Sequence, residues 1–271
     1  KCGAFKARGA ANAVFALSTT EAVRGVATHS SGNHAAALAR AARLRGIPAY
    51  IVMPDNTPEA KRAAVRRYGG QISYCAATLA ARESAARAVV AATGAVFVHP
   101  YDNLSVMAGQ GTVAAEFLRQ VPQLEVLICP VGGGGLLGGS AVAAAALKPG
   151  LRVLGAEPAG ADDAARSLHS GQLQASGTPQ TIADGLRGAL SARTFSAIQR
   201  NVADILTVSE GAIISGMREL WEVLKIIVEP SGAVPYAAVR SHAAHLHDKR
   251  IGIVLSGGNL DLDQLPWMRA S

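Results

Sequence analysis

Short runs of β-branched and apolar residues alternate along the chain with alanine-rich stretches in which polar positions recur at helical spacing. The runs predict strands at 26–28, 49–53, 71–74, 95–98, 125–128, 152–155, 204–207 and 250–255. The stretches between them predict helices, among them 33–45, 58–68, 78–93 and 111–120, and the all-alanine run 143–146 also reads as helix. Strands that alternate with helices make βαβ units and a parallel sheet with helices on both faces. The runs are nearly continuous rather than alternating, as strands covered on both sides require. No linker, repeat or low-complexity tract separates one half from the other, so any domain division is made by interwoven segments.

Composition narrows the class. With 271 residues, 49% hydrophobic and 17% charged, the chain can bury a sizeable core and is not a disordered one. The longest uncharged run, 126–147, is broken by Pro130 and several glycines, which argues against a membrane-spanning helix. The first residues lack the charged-then-apolar pattern of a signal peptide, and Cys2, Cys75 and Cys129 have no metal-ligand spacing, so a reducing, cytoplasmic setting is expected. Lys+Arg 26 against Asp+Glu 19 leaves +7. The one tight basic cluster, Lys61-Arg62 with Arg66-Arg67, has the spacing of a solvated helix face, and aromatics are only 4%, so no nucleic-acid partner is expected.

Open α/β sheets bind ligands in the turns that leave the carboxyl ends of strands. Two such turns stand out: Ser30-Ser31-Gly32-Asn33-His34, and Gly132-Gly133-Gly134-Gly135 followed by Leu136. Consecutive glycines at a helix start leave backbone N–H groups open to an anion, the pattern of a phosphate cradle. Gly133-x-Gly135-x-x-Gly138 also satisfies a dinucleotide fingerprint, with Glu157 after the next strand as the ribose acid, and that reading predicts an NAD-binding oxidoreductase. It leaves the Ser-Ser-Gly-Asn-His turn without a role. Lys6, one of only six lysines, lies among small and apolar residues at a helix start, where a lowered pKa suits an amine to Schiff-base chemistry.

In their order, Phe5-Lys6-Ala7-Arg8-Gly9-Ala10, Ser30-Ser31-Gly32-Asn33-His34, the four glycines and Ser256-Gly257-Gly258-Asn259 resemble the serine/threonine dehydratase family. These are pyridoxal-phosphate enzymes of the tryptophan-synthase-β fold (fold-type II), a group that includes serine racemase. Further matches are His99-Pro100-Tyr101-Asp102, Ala108-Gly109-Gln110-Gly111-Thr112, Ala183-Asp184-Gly185 and Glu229-Pro230-Ser231-Gly232-Ala233. The resemblance implies two interwoven three-layer α/β/α domains: 1–26 with 103–271 as a large cofactor-binding domain, and 27–102 as a small one closing over substrate. It implies that Lys6 holds the cofactor as a Schiff base and then takes the Cα proton. Phe5 would pack on the pyridine ring, Asn33 would bond its 3-oxygen and Ser256 would face its nitrogen. Gly132, Gly133, Gly134, Gly135 and Leu136 would hold the phosphate. Ser30, Ser31, Gly32 and His34 would hold the substrate carboxylate, with Tyr101 also at the substrate. Glu157, the Ala161 carbonyl and Asp163 would bind Mg²⁺ or Ca²⁺.

The implied reaction is loss of water from L-threonine or L-serine, giving a 2-oxo acid and ammonia. Ser31 stands where racemase relatives place a second acid/base, so serine racemisation is an alternative. Dehydration of threo-3-hydroxyaspartate is another, with Tyr101 and Arg187 as candidate selectors of the extra carboxylate. Ala4 departs from the family's usual Ser before Phe-Lys. Relatives carry a segment ahead of the lysine motif, so the chain as it stands is expected to be short by one N-terminal segment or to lack a layer of the fold. Nothing after Ser271 suggests a regulatory domain, so an unregulated form is expected, and relatives are commonly homodimers.

Overall fold

The computed structural model describes residues 2–268. By Cα proximity the chain forms two compact units, Lys1–Gly109 and Gln110–Ser271, and the division falls inside one helix rather than in a linker. In chain order the elements are α1 (Lys6–Phe15), α2 (Thr19–Val23), β1 (Val26–His29), α3 (Asn33–Arg45), β2 (Ala49–Pro54), α4 (Glu59–Arg67), β3 (Gln71–Cys75), α5 (Leu79–Thr93), β4 (Val96–Phe97) and α6 (Leu104–Gln120). There follow β5 (Val126–Pro130), α7 (Gly135–Leu147), β6 (Arg152–Pro158), α8 (Asp163–Ser170), α9 (Ala192–Asn201), β7 (Asp204–Val208), α10 (Glu210–Leu224), α11 (Pro230–Ser241) and β8 (Ile251–Ile253), with short 3₁₀ turns among them. All eight expected strands form. The main difference is α6, which begins at Leu104 because Asn103 Oδ1 accepts the Val106 N–H at 3.0 Å and caps it. Gly109, inside this helix, interrupts the helical pattern ahead of residue 111.

In the first unit four parallel strands run in the order β3-β2-β1-β4. Val26, Ala27, Ile51, Val52 and Met53 are essentially out of water, so both faces of the central strands are covered. Most of one face belongs to α3, whose alanines from Ala35 to Ala42 are largely buried and let α1 pack closely against it through Ala10, Ala13 and Val14. Residues before Val26 therefore group with this sheet. The basic cluster lies on α4: Arg62 donates to the Thr57 carbonyl, and Arg66 pairs with Glu59 at 2.6 Å.

The second unit has parallel strands in the order β7-β6-β5-β8. Every residue of β5 is buried, as is β6 from Val153 onward. One cluster joins Val126, Ile128, Leu154 and Ala156 to Val234, Ala237 and Ala238 of α11. Leu127 and Ile128, fully buried, each contribute roughly 1.5–3 kcal/mol by leaving water. No helix among the described residues is long and apolar enough to cross a membrane.

A Cβ on Gly109 would stand 2.6 Å from Gly9 Cα and 2.7 Å from the Arg8 carbonyl oxygen, so α6 crosses α1 at a contact that only glycine permits. Gly109→Ala is expected to cost roughly 1–3 kcal/mol, because the obstacle is backbone and cannot rotate away. The check is the midpoint of denaturant unfolding, and an unchanged midpoint would contradict the crossing.

Candidate active site

In the first unit Lys6 opens α1, with Phe5 at the cap position. Its Nζ donates to the Pro100 carbonyl at 2.8 Å and stands 5.1 Å from the centroid of the Phe5 ring. Burial without a countercharge lowers the Lys6 pKa to about 8. The amine is thus partly neutral near physiological pH, as a nucleophile or base must be.

The Ser30-Ser31-Gly32 turn follows β1 and leads into α3, beginning at Asn33. Ser30 Oγ accepts the Gly32 N–H at 3.3 Å, and no side chain caps the start of α3. A helix start without a side-chain cap suits a carboxylate. His34 is buried, and its Nε2 lies 3.1 Å from the Val98 carbonyl. A carbonyl only accepts, so Nε2 carries the proton and Nδ1 presents a lone pair that has no partner among the described residues. Burial, and secondarily the Lys6 charge, push the His34 pKa down to about 3. A neutral acceptor cannot hold a carboxylate with its ring, so only the backbone of His34 suits that role. His99 Nδ1 accepts the backbone N–H of Asp102 at 2.9 Å and of Tyr101 at 3.3 Å, and the Tyr101 ring meets the His99 ring edge-on at 4.5 Å. Burial lowers the His99 pKa to about 4. The roles of His99 and Pro100 were missed by sequence reasoning, although the His-Pro-Tyr-Asp motif marked the place.

In the second unit the glycine turn leaves β5 and enters α7. Gly134 takes φ +82° at the cap position, and a Cβ there would stand 2.7 Å from Leu190 Cδ2 and 2.8 Å from Thr194 Cβ. A Cβ on Gly132 would stand 2.8 Å from Leu186 Cα. Close packing therefore accounts for Gly132 and Gly134. The case for an anion rests on the α7 start, where Gly135 and Leu136 lie buried in a first turn that no side chain caps. Gly133, half-buried, completes the turn. The start of α7 thus fits a phosphate group.

Ser256 is buried just after β8, the parallel neighbour of β5, so it and the glycine turn leave adjacent strands. Its turn is tied to the head of α11: the Glu229 N–H donates to the Gly257 carbonyl at 3.0 Å, and Glu229 Oε2 accepts the Asn259 N–H at 3.1 Å. The sequence motifs at 229–233 and 256–259 are thus one structural unit. Arg187 donates through Nε and Nη2 to the Thr181 carbonyl at 3.2 and 2.6 Å.

Glu157 ends its strand buried, with Oε1 accepting the Ala165 N–H at 2.7 Å. Burial raises its pKa to about 8, with the Asp163 charge adding to the effect. Asp163 is buried at the start of α8, its pKa raised by burial, and its Oδ2 has no partner among the described residues. Ala161 is buried in the 3₁₀ turn between them. Two buried carboxyl groups with an unpartnered oxygen fit a hard cation, although among the described residues no cluster of three or more His, Cys, Asp or Glu side chains is placed to hold one. Glu157 faces the head of α8, not open solvent as a ribose partner would.

Each of these turns carries a feature that a pyridoxal-phosphate enzyme uses: a lysine amine of lowered proton affinity, a helix start suited to a phosphate or another suited to a carboxylate. The family model for "Pyridoxal-phosphate dependent enzyme" matches residues 1–257, and the chain belongs to that family. That membership overturns the dinucleotide reading and its NAD-binding oxidoreductase. A β-hydroxyaspartate dehydratase of Paracoccus denitrificans is 47% identical over 265 residues, covering 98% of this chain and 84% of that protein. The structure of maize serine racemase matches with a TM-score of 0.95 at 46% identity, covering 99% of this chain and 83% of that one. The structure of a threonine deaminase from T.th. matches with a TM-score of 0.92 at 44% identity, covering 97% and 85%. The fold is fold-type II, and the chain is a pyridoxal-phosphate-dependent enzyme of the serine racemase and dehydratase type.

His34 and His99 bind a proton less readily folded than unfolded, so stability falls as pH drops through the ordinary histidine range toward about 4. Denaturant unfolding compared at about pH 7 and about pH 5 should show this loss, and His34→Gln should make it shallower. Equal pH dependence in parent and variant would contradict the buried neutral imidazole.

Proposed function

We propose that this chain is a β-hydroxy amino acid ammonia-lyase, taking water from L-serine or L-threonine and yielding the 2-oxo acid and ammonia. The observation that carries the reading is the Lys6 amine, 2.8 Å from a carbonyl, with its pKa lowered to about 8. When bound, pyridoxal phosphate supplies an electron sink for charge developing at the substrate Cα. Lys6 Nζ is its attachment point and, once free, the base that removes the Cα proton. Phe5 packs against the ring, Asn33 bonds its 3-oxygen, and the N–H groups around Gly132, Gly133, Gly134, Gly135 and Leu136 hold the phosphate. Backbone and hydroxyl groups of Ser30, Ser31, Gly32 and His34 orient the substrate carboxylate, with Tyr101 beside it.

Ser256 faces the ring nitrogen as a neutral hydroxyl. With no carboxylate there, charge at Cα is less well sustained, which favours prompt loss of the β-hydroxyl over return of the proton. The freed enamine product then hydrolyses to the oxo acid. Glu157, the Ala161 carbonyl and Asp163 hold Mg²⁺ or Ca²⁺, a reading supported by the unpartnered buried oxygen of Asp163. The segment 27–102 closes over substrate, and the enzyme is a cytoplasmic homodimer, as the family resemblance implies.

Two other reactions have specific support. Racemisation of serine would use Ser31 as a second acid/base opposite Lys6, and the similarity to maize serine racemase favours it. Dehydration of threo-3-hydroxyaspartate is favoured by the similarity to the Paracoccus dehydratase, with Tyr101 and Arg187 as candidate selectors.

The test is to supply pyridoxal phosphate with each of the three hydroxy amino acids and to measure oxo acid, ammonia and D-serine together. Oxo acid and ammonia should form from serine or threonine, and Lys6→Ala should lower the rate on the order of 10²–10⁴-fold. D-serine as the main product would establish the racemase, turnover of hydroxyaspartate alone would establish the third reading, and a fully active Lys6→Ala would overturn all three.

A further inference from the structure

His99 receives two N–H donors at one ring nitrogen, Asp102 at 2.9 Å and Tyr101 at 3.3 Å. That nitrogen carries no proton, so the ring is the Nε2–H tautomer. Neighbouring rings wedge it in place: Tyr101 edge-on at 4.5 Å, His29 edge-on at 6.0 Å and Phe97 at 6.2 Å. The loop it closes contains Pro100, whose carbonyl accepts Lys6 Nζ at 2.8 Å. Two further contacts hold α1 against this loop and the helix that follows. Gly9 meets Gly109 without room for a side chain, and Asn12 Nδ2 donates to the Ser105 carbonyl at 2.7 Å.

We propose that the His99-Pro100-Tyr101-Asp102 turn is a holding site for the free Lys6 amine, with the Pro100 carbonyl as its acceptor and His99 as the residue that positions that carbonyl. The proposal rests on reading Lys6 as the catalytic lysine, but the contact belongs to the chain alone. A lysine side chain has four rotatable bonds, and a fixed acceptor keeps its amine from wandering whenever it is not bonded to the cofactor. The charged and titratable groups around the pair are His34 from α3, His29 from β1, Asp102 from the turn and Glu83 from α5. His34 and His99 are neutral well below physiological pH, so neither competes with the amine as a cation.

The test is trace labelling of amines by acetic anhydride in cofactor-free protein, with Lys6 followed by mass spectrometry at mildly alkaline pH. In His99→Asn the side-chain oxygen stands near the place of Nδ1 and can accept the same N–H groups, so Lys6 should label at the parent rate. In His99→Gln and His99→Phe that acceptor is lost, and labelling should rise roughly fivefold, the fold-change that one net hydrogen bond implies. Circular dichroism verifies the fold, and if the Phe variant does not fold, the Asn and Gln pair decides. Parent-rate labelling in the Gln variant, or an Asn variant that behaves like Gln, would overturn the holding site. Labelling needs no cofactor, so failure of the functional reading would appear separately, as a protein that labels as expected but does not bind pyridoxal phosphate at Lys6.

Discussion

A lysine amine held away from water with a carbonyl and a ring face for neighbours is the constraint on which the account depends. Among the described residues no carboxylate partner restores the proton affinity of Lys6, and burial sets its pKa near 8. Keeping it there requires the start of α1, the turn after β4 and the crossing of α6 to stay in register. Gly9 and Gly109 supply the close approach, and His99 supplies the rigid turn. The chemistry of one atom thus depends on packing well beyond the residue that bears it.

The second physical device is the open helix start. Ser18, Thr78, Ser191 and Ser209 cap α2, α5, α9 and α10 with their own side chains. The glycine-led starts of α3 and α7 have no such cap, and each follows the carboxyl end of a central strand. Helix starts without a side-chain cap suit anions. In the proposed function one start serves the substrate carboxylate and the other the cofactor phosphate.

Much of this was legible in the chain. The strands were readable because buried parallel strands are short continuous apolar runs, and Asn33–Arg45 was readable because alanine leaves little else to form. The beginning of α6 was not, since its glycines serve a helix crossing that no local pattern reveals. Lys6 could be singled out by its apolar setting, but its acceptor is the backbone of Pro100, far along the chain, and backbone carbonyls leave no mark in sequence. Arg187, a candidate carboxylate selector, donates to the Thr181 carbonyl, a contact that likewise leaves no mark in sequence. The four glycines suggested a cradle by number, yet Gly132 and Gly134 are explained by close neighbours. The uncapped amides are the better evidence.

The most direct test of the central claim is borohydride reduction of the protein after loading with pyridoxal phosphate, followed by peptide mass spectrometry. The account predicts a single pyridoxyl group, located on Lys6. A label on any other lysine, or none at all, would contradict it.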